Sequence, residues 1–285
     1  MVEAAMQDLI FPLITPLIRF AIVVTMVSAG MQVTGAQILG AVSRKGLMGR
    51  ALLANLVVTP LIALLLARIL SVPQGLALGF LLIAASPGAP LIPKLVEVAR
   101  ANLPFAVGLM FTLTVLAIVV TPLTANLILP LDENIQFDVS AITKSLLLFQ
   151  LLPLLGGLAI QRWLKGVKQI LLRPSILLAN LMLAAIIGLV LWRDYQTLLA
   201  LPWTTVAAML LLIVCALLSG WFLGGPDRST RKALALGTSA QSNGLALLIS
   251  NSSFPGTGAD VAVVAFGLLN VIINFSVAIY WNRRD

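Results

Sequence analysis

The stretch SPGAPLIPKLVEVARAN, residues 86–102, decides how the whole chain is interpreted. It places three prolines and four charged or amide side chains between two long apolar runs, GLALGFLLIAA and FAVGLMFTLTVLAIVV. Proline lacks an amide donor and clashes with the preceding turn, so a helix through this stretch is interrupted. Non-helical backbone at membrane depth persists only where protein buries it or water lines it. The stretch therefore favours a functional break over a simple proline kink.

The composition is that of an integral membrane protein. Of 285 residues, 60% are hydrophobic and 10% are charged, and the mean hydropathy is +1.07. A soluble domain carries about a quarter charged residues. Cys215 is the one cysteine and cannot form an internal disulfide, and the lack of histidine excludes histidine metal sites and Ser/His or Cys/His catalysis.

Nine segments are apolar and long enough to cross a bilayer, which takes roughly 20 residues of helix. The sequence thus predicts an all-α polytopic membrane protein. Its predicted spans are 9–31, 50–70, 75–101, 104–130, 141–163, 174–193, 203–224, 231–253 and 259–281.

The basic residues predict the orientation, because lysine and arginine concentrate in cytoplasmic connections. With nine spans, thirteen of them fall on one side and three on the other. The N-terminus is therefore predicted outside and the C-terminus in the cytoplasm. This placement accounts for the net charge of +8 without a nucleic-acid partner.

A second polar interruption, GTSAQSNG, occupies residues 237–244 of the predicted eighth span. Its polar residues cover every face of a helix, whereas helix packing needs only a stripe. This interruption and the first, at 86–93, are each followed by one uninterrupted span. Paired interruptions of this kind point to an inverted-repeat transporter with its site near the midplane. The predicted halves are 1–130 and 131–285.

Three motifs give the chain a resemblance to the bile acid:sodium symporter family. They are VSAGMQVTGAQI at the end of span one, SPGAPLIPKLVEVARAN with the VTP that closes span four, and QSNGLA in span eight. The resemblance covers nearly the whole chain and implies a bacterial-type member in the inner membrane. It implies a core domain around two crossing discontinuous helices, beside a smaller panel domain. It also implies transport of bile acids, small keto acids or related carboxylates and sulfonates together with sodium.

Aligned on these motifs, the chain lacks most ligands of the first of the family's two sodium sites. The glutamate that contacts both ions falls at Gly237, and a Ser-Asn pair falls at Ile92 and Pro93. Two further hydroxyl ligands fall at Ala106 and Met110.

For the second sodium site, the resemblance retains two amides, Asn55 and Gln241, with backbone carbonyls near Thr238 and Ala240. Sodium is a hard cation that takes several oxygen ligands, so two amides without a carboxylate predict a weak site. No organic cofactor is predicted. Coupling to sodium, to protons or to no ion stays open.

Lys94 suggests an alternative to a bound cation. A buried ammonium beside the first interruption would take the place of the lost ion, or burial would lower its pKa and allow proton coupling. The simpler interpretations are an ion pair with Glu97, three residues along the helix, or extension toward the cytoplasm.

The residues predicted to bind substrate or ion come from both interruptions and from neighbouring spans. They are Asn55, Pro87, Gly88, Lys94, Thr238, Ser239, Gln241, Ser242, Asn243 and Asn270, with Asn55 and Gln241 as the weak sodium site. Arg19, in span one, either contacts an anionic substrate or extends outward. Thr114 is equally consistent with a site residue and with a helix contact.

The leading prediction is a secondary transporter of a small organic anion, working by alternating access in a lipid bilayer, and not an enzyme. The half-helix N-termini would present unpaired amides to a carboxylate or sulfonate. The alternative within transport is a proton-coupled carrier or an uncoupled facilitator. From other classes, an intramembrane enzyme would pair Ser239 or Ser242 with Lys94, and a ligand sensor would bind without transport.

Overall fold

The apolar segments of the sequence form helices in the computed structural model, which describes residues 2–128 and 139–284. In the first range the helices are α1 (Val2–Gln32), α2 (Gly35–Val42), α3 (Lys45–Leu53), α4 (Thr59–Ile69), α5 (Gln74–Ala84), α6 (Ile92–Val98) and α7 (Leu103–Ile128). In the second they are α8 (Val139–Leu146), α9 (Leu152–Trp163), α10 (Lys165–Leu199), α11 (Trp203–Leu223), α12 (Arg228–Ser239), α13 (Asn243–Ser253) and α14 (Ala259–Arg284). A π-helical turn, Ala54–Val58, joins α3 to α4, and another, Leu147–Leu151, joins α8 to α9. The predicted all-α class is confirmed.

Long apolar helices identify the chain as an integral membrane protein. Within the described ranges, six are long and apolar enough to cross a membrane, or seven if a pair bent by 82° counts as one span. They are Lys45–Ile69, Leu103–Ile128, Ile142–Trp163, Lys165–Ile186, Trp203–Leu223 and Ala259–Arg284, and the bent pair is Pro16–Gln32 with Gly35–Val42. The predicted spans 75–101 and 231–253 are each covered by two short helices. The count of nine spans and the orientation of the termini stay predictions.

Helix α2 lies between the predicted spans 9–31 and 50–70, where the sequence predicts no span. It begins with a capping box: Gln37 N donates to Thr34 Oγ1 at 3.3 Å, and Thr34 N donates to Gln37 Oε1 at 2.9 Å. The Thr-Gly-Ala-Gln pattern was therefore the available signal. Helix α2 packs on α7 at Gly108, where a Cβ would overlap Ala41 and approach Gln37 O to 2.8 Å.

Glycines set the closest helix contacts. A Cβ built on Gly30 of α1 would lie 3.0 Å from the Cα of Gly157 in α9. A Cβ on Gly220 of α11 would lie 2.6 Å from the Cα of Ala235 in α12. Lipid gives helices no hydrophobic reason to associate, so small residues that admit close packing stabilise such pairs.

Two short non-helical segments interrupt the helices near the predicted positions. The first break, residues 85–91, separates α5 from α6, and the second break, residues 240–242, separates α12 from α13. Helix α6 already begins at Ile92, because proline is tolerated in a first turn. Helix α12 continues through Ser239, so the polar run that begins at Gly237 starts inside a helix.

Candidate functional site

The two breaks are in direct contact through their backbones. Ser242 N donates to Ser86 O at 2.7 Å. Ser86 is 0% exposed and Ser242 is 3% exposed. The segments that the sequence predicted as separate interruptions therefore meet inside the protein.

The first break is anchored to α7 through a glycine. Gly88 has a φ of +87°, and its carbonyl accepts a bond from Thr114 Oγ1 at 3.0 Å. A Cβ at this position would lie 2.7 Å from Thr114 N, so the close approach requires glycine. Gln150 Nε2, on the second π-helical turn, donates to Thr114 O at 3.5 Å. Pro87 is buried beside this contact.

Three polar side chains converge at the end of α12. Asn55 Nδ2 donates to Thr238 Oγ1 at 3.2 Å, and Gln241 Nε2 donates to Thr238 O at 2.7 Å. Asn55 lies on the first π-helical turn, a local irregularity often found at functional sites. The structure thus brings together Asn55 and Gln241, which the sequence places 186 positions apart.

The same cluster contains enclosed oxygens that accept no hydrogen bond. Asn55 Oδ1, Ser239 Oγ, Gln241 Oε1 and Asn243 Oδ1 are enclosed and have no hydrogen-bond partner within the described part of the chain. An enclosed polar atom without a partner costs about 1–3 kcal/mol. Several such oxygens around one helix end are the ligands that a hard cation prefers.

Helix α14 supports the second break from behind. Asn270 Nδ2 donates to Ser239 O at 2.8 Å, and Asn274 Nδ2 donates to Asn270 O at 2.8 Å. A Cβ on Gly267 would lie 2.8 Å from Asn243 Nδ2. The predicted residue Asn270 therefore lies in the cluster and fixes the backbone of the break.

The position aligned with the family's glutamate is surrounded by hydrocarbon. A Cβ on Gly237 would lie 3.0 Å from Leu109 Cδ2 and 3.7 Å from Ile92 Cγ2. Ala106 and Met110, where two hydroxyl ligands fall, are 0% and 2% exposed. This region packs as an apolar core.

Lys94 does not lie among the carbonyls of the break, so the expectation of a buried ammonium is wrong. Its side chain is 61% exposed, and Nζ contacts Glu97 Oε2 at 2.9 Å. The i,i+3 spacing on α6 directs both side chains outward, where the pair is solvated. The simpler interpretation of an ion pair with Glu97 is confirmed.

Three residues of the site were not predicted to belong to it. The sequence predicts a site role for neither Ser86 nor Gln150, and Thr114 is equally consistent with a site residue and a helix contact. Thr114 lies on the apolar helix α7, 26 positions after Gly88. No sequence periodicity connects residues that far apart, so their contact could not be predicted. Gln150 lies within the predicted span 141–163, three residues before Pro153, and an amide inside an apolar span was the available signal.

The donor set fits a monovalent hard cation better than a transition metal. In the ranges 2–128 and 139–284, three or more His, Cys, Asp or Glu side chains nowhere come together as metal ligands. The oxygens near Thr238 are neutral amides, hydroxyls and carbonyls.

Comparison with known proteins shows the family. The profile described as "Sodium Bile acid symporter family" matches residues 19–221. "Probable sodium/metabolite cotransporter BASS1, chloroplastic" from Arabidopsis thaliana is 24% identical over 266 residues, which cover 91% of this chain and 65% of that protein. "Probable sodium/metabolite cotransporter BASS3, chloroplastic" from the same plant is 24% identical over 269 residues, 90% of this chain and 61% of that protein.

A bacterial relative matches a larger share of its own length. "Uncharacterized sodium-dependent transporter YocS" from Bacillus subtilis (strain 168) is 24% identical over 241 residues, which cover 81% of this chain and 72% of that protein. The chain spans a little under two thirds of the two plant relatives. These relatives carry the names of transporters, and the predicted resemblance is confirmed: the chain belongs to the sodium bile acid symporter family.

Proposed function

We propose that this protein is a secondary transporter that couples the movement of a small organic anion to a sodium ion by alternating access. The observation that carries the proposal is the pair of enclosed amide oxygens, Asn55 Oδ1 and Gln241 Oε1, beside Thr238. Both side-chain amides donate a hydrogen bond from their NH₂ group to Thr238, so their oxygens remain free to bind a cation. The sodium named in the relatives' descriptions supports the choice of ion.

The helix ends support the same assignment of charges. The C-terminal end of a helix carries a partial negative charge and the N-terminal end a partial positive charge. The second break therefore presents the C-terminus of α12 to a cation and the N-terminus of α13 to an anion. Ser242, the N-cap of α13, makes no side-chain capping bond, so amides of the first turn are available to a carboxylate or sulfonate.

Sodium coupling is favoured over proton coupling. The proton-coupled alternative relied on a buried Lys94, and that side chain is exposed and paired with Glu97. The neutral amides of Asn55 and Gln241 do not titrate in the physiological range. One sodium per cycle is proposed, because the region around Gly237 presents hydrocarbon instead of oxygens.

Uptake into proteoliposomes tests the proposal. The probes are pyruvate, 2-oxoglutarate, cholate and taurocholate, each offered under an inward sodium gradient, an inward proton gradient, or choline alone. We expect at least one anion to accumulate under the sodium gradient. Accumulation under the proton gradient alone would favour the proton-coupled alternative, and uptake of no anion under any gradient would overturn the proposal.

Two variants connect uptake to the amide oxygens. Gln241→Leu and Asn55→Leu keep side-chain volume but remove the oxygens, so the sodium concentration for half-maximal uptake should rise by about 10-fold or more, the loss of one interaction with a charged group. Ser86→Ala is the matched control, since its hydroxyl donates to Leu82 O and its backbone contact with Ser242 remains. Unchanged sodium dependence in both leucine variants would place the cation elsewhere.

A further inference from the structure

Arg19 is a charged residue in the middle of an apolar helix, and the mechanism proposed above gives it no role. It is the one charged residue between Pro16 and Gln32, a segment that together with Gly35–Val42 is long and apolar enough for a bent membrane span. A charge at such a depth is costly and is usually retained for a binding or transport role.

The guanidinium is held in place, and it pairs with no acidic side chain among those that the structure describes. Its central carbon lies 5.3 Å from the centroid of the Phe149 ring, within the range of a cation–π contact. Its Nε is enclosed and has no hydrogen-bond partner among the atoms that the structure describes.

Arg19 lies on the face of α1 that meets the second break. Ile22, three residues further and on the same face, has its Cγ1 3.6 Å from a Cβ built on Gly244, the second residue of α13. On its other side, Arg19 stacks on Phe149, whose neighbour Gln150 contacts Thr114 and thereby the first break.

The second break opens to its surroundings at this place. Between Lys232 and Ser250 every residue is buried except Asn243 and Gly244. Asn243 Oδ1 is enclosed and makes no hydrogen bond to the described residues. A molecule that reaches the start of α13 therefore does so beside the face of α1 that carries Arg19.

We propose that Arg19 is the specificity-determining residue for anions: its guanidinium pairs with the carboxylate or sulfonate of a substrate held between α1 and the start of α13. This inference rests on the transport function proposed above and names the group that selects the charge of the substrate. Arginine suits the task because its planar fork binds a carboxylate through two hydrogen bonds. A neutral analogue would leave that charge unpaired and would be rejected.

Ligand-induced thermal stabilisation in nanodiscs tests the inference with the full chain. The probes are pyruvate, 2-oxoglutarate, cholate and taurocholate, with pyruvamide and cholamide as uncharged analogues. An anion, and not its amide, should raise the unfolding temperature of the wild type. Arg19→Gln should raise the apparent Kd of that anion by roughly 10- to 100-fold, the loss of a charge-assisted hydrogen bond. Arg19→Lys keeps the positive charge but loses the planar guanidinium, so its apparent Kd should lie between those of the wild type and Arg19→Gln.

The unliganded protein gives a readout that separates binding from a structural role. A charge without a counter-ion destabilises an apolar site, so Arg19→Gln should unfold at the same temperature as the wild type or higher. Arg68→Gln is the matched control, because it removes an exposed arginine at the end of α4 and should leave the Kd unchanged. Phe149→Leu removes the ring that orients the guanidinium and should raise the Kd by roughly 2- to 5-fold.

The outcomes separate the inference from the proposed function. If the anion stabilises the wild type and Arg19→Gln equally, Arg19 does not select the substrate, while the transport function stands. A lower unfolding temperature for Arg19→Gln with an unchanged Kd would make Arg19 a packing residue. If no anion stabilises the wild type and none is taken up, the proposed function fails and the inference with it.

Discussion

The first break is seven residues long and is built from prolines, a glycine and alanines, whereas the second break is three residues long and is flanked by polar side chains. In the first, Ser86 Oγ donates to Leu82 O at 2.7 Å. In the second break and at the two helix ends beside it, the oxygens Ser239 Oγ, Gln241 Oε1 and Asn243 Oδ1 have no hydrogen-bond partner over the described residues.

This difference teaches that interrupting a helix and binding a ligand are separate tasks. At the first break, prolines and a glycine in the left-handed conformation interrupt the helix. The glycine also holds the break against α7. The second break needs no proline, because the amides of Gln241 and Asn270 hold the carbonyls of the last two residues of α12, Thr238 and Ser239. We infer that the first break is a rigid support and that the second carries the binding chemistry.

The largest loss of stability is expected when a methyl group is added to Gly88 in the first break. Gly88→Ala places a Cβ 2.7 Å from Thr114 N at a φ of +87°. A left-handed conformation costs about 1–2 kcal/mol for alanine, and overpacking adds roughly 1–3 kcal/mol. The variant should therefore lose about 2–5 kcal/mol of stability, measured as a lower unfolding temperature and a lower yield of folded protein in detergent.

The control for this prediction is a glycine with the same conformation in open space. Gly256 has a φ of +74° and no atom within 4 Å of a built Cβ, so Gly256→Ala should show only the conformational cost. Equal losses at both positions would mean that the contact between Gly88 and Thr114 does not hold the first break.

A smaller effect is expected in the apolar region where α12 packs on α6 and α7. Gly237→Glu introduces a carboxyl group beside Leu109 and Ile92, which offer it no hydrogen bond. A charge buried there would be far more costly than a neutral group, so the carboxyl should stay protonated. The variant should lose roughly 1–3 kcal/mol, the cost of a buried neutral polar group without a partner, and should not gain sodium-dependent stability. Gly237→Ala is the control, because its methyl meets only the end of the flexible Leu109 side chain at 3.0 Å. Stronger stabilisation of Gly237→Glu by sodium would show that this region can hold a second ion.

The sequence alone predicts the second break well because its polar residues are contiguous. A run of polar residues is conspicuous inside an apolar span, and the structure keeps this run in one cluster with Asn270. The run contains Thr238, Ser239, Gln241 and Asn243. The contact between Ser242 and Ser86 could not be predicted. It depends on how two helices cross, and residues 156 positions apart give no local pattern for that crossing.

The error over Lys94 has a different physical origin. The prolines led to the expectation of an interruption over 86–93, so Lys94 was placed directly beside non-helical backbone. Helix α6 instead begins at Ile92, and each helical residue rotates the side-chain direction by about 100°. Two residues of helix are enough to turn Lys94 from the break to the surface. The exact end of an interruption, which sequence predicts least well, decided the role of this residue.

The smallest effect is accordingly expected at Lys94 itself. Its ion pair with Glu97 is solvated, with side chains 61% and 58% exposed, and such pairs contribute about 0–1 kcal/mol. Lys94→Ala should change the unfolding temperature little and should keep sodium-dependent uptake near the wild-type rate. Lys94→Arg should behave in the same way, because it keeps the positive charge that pairs with Glu97. A severe loss of uptake in Lys94→Ala, restored by added cations, would instead make the ammonium a substitute for the coupling ion. In that case the first break would not be a rigid support alone, because the residues beside it would also contribute to ion binding.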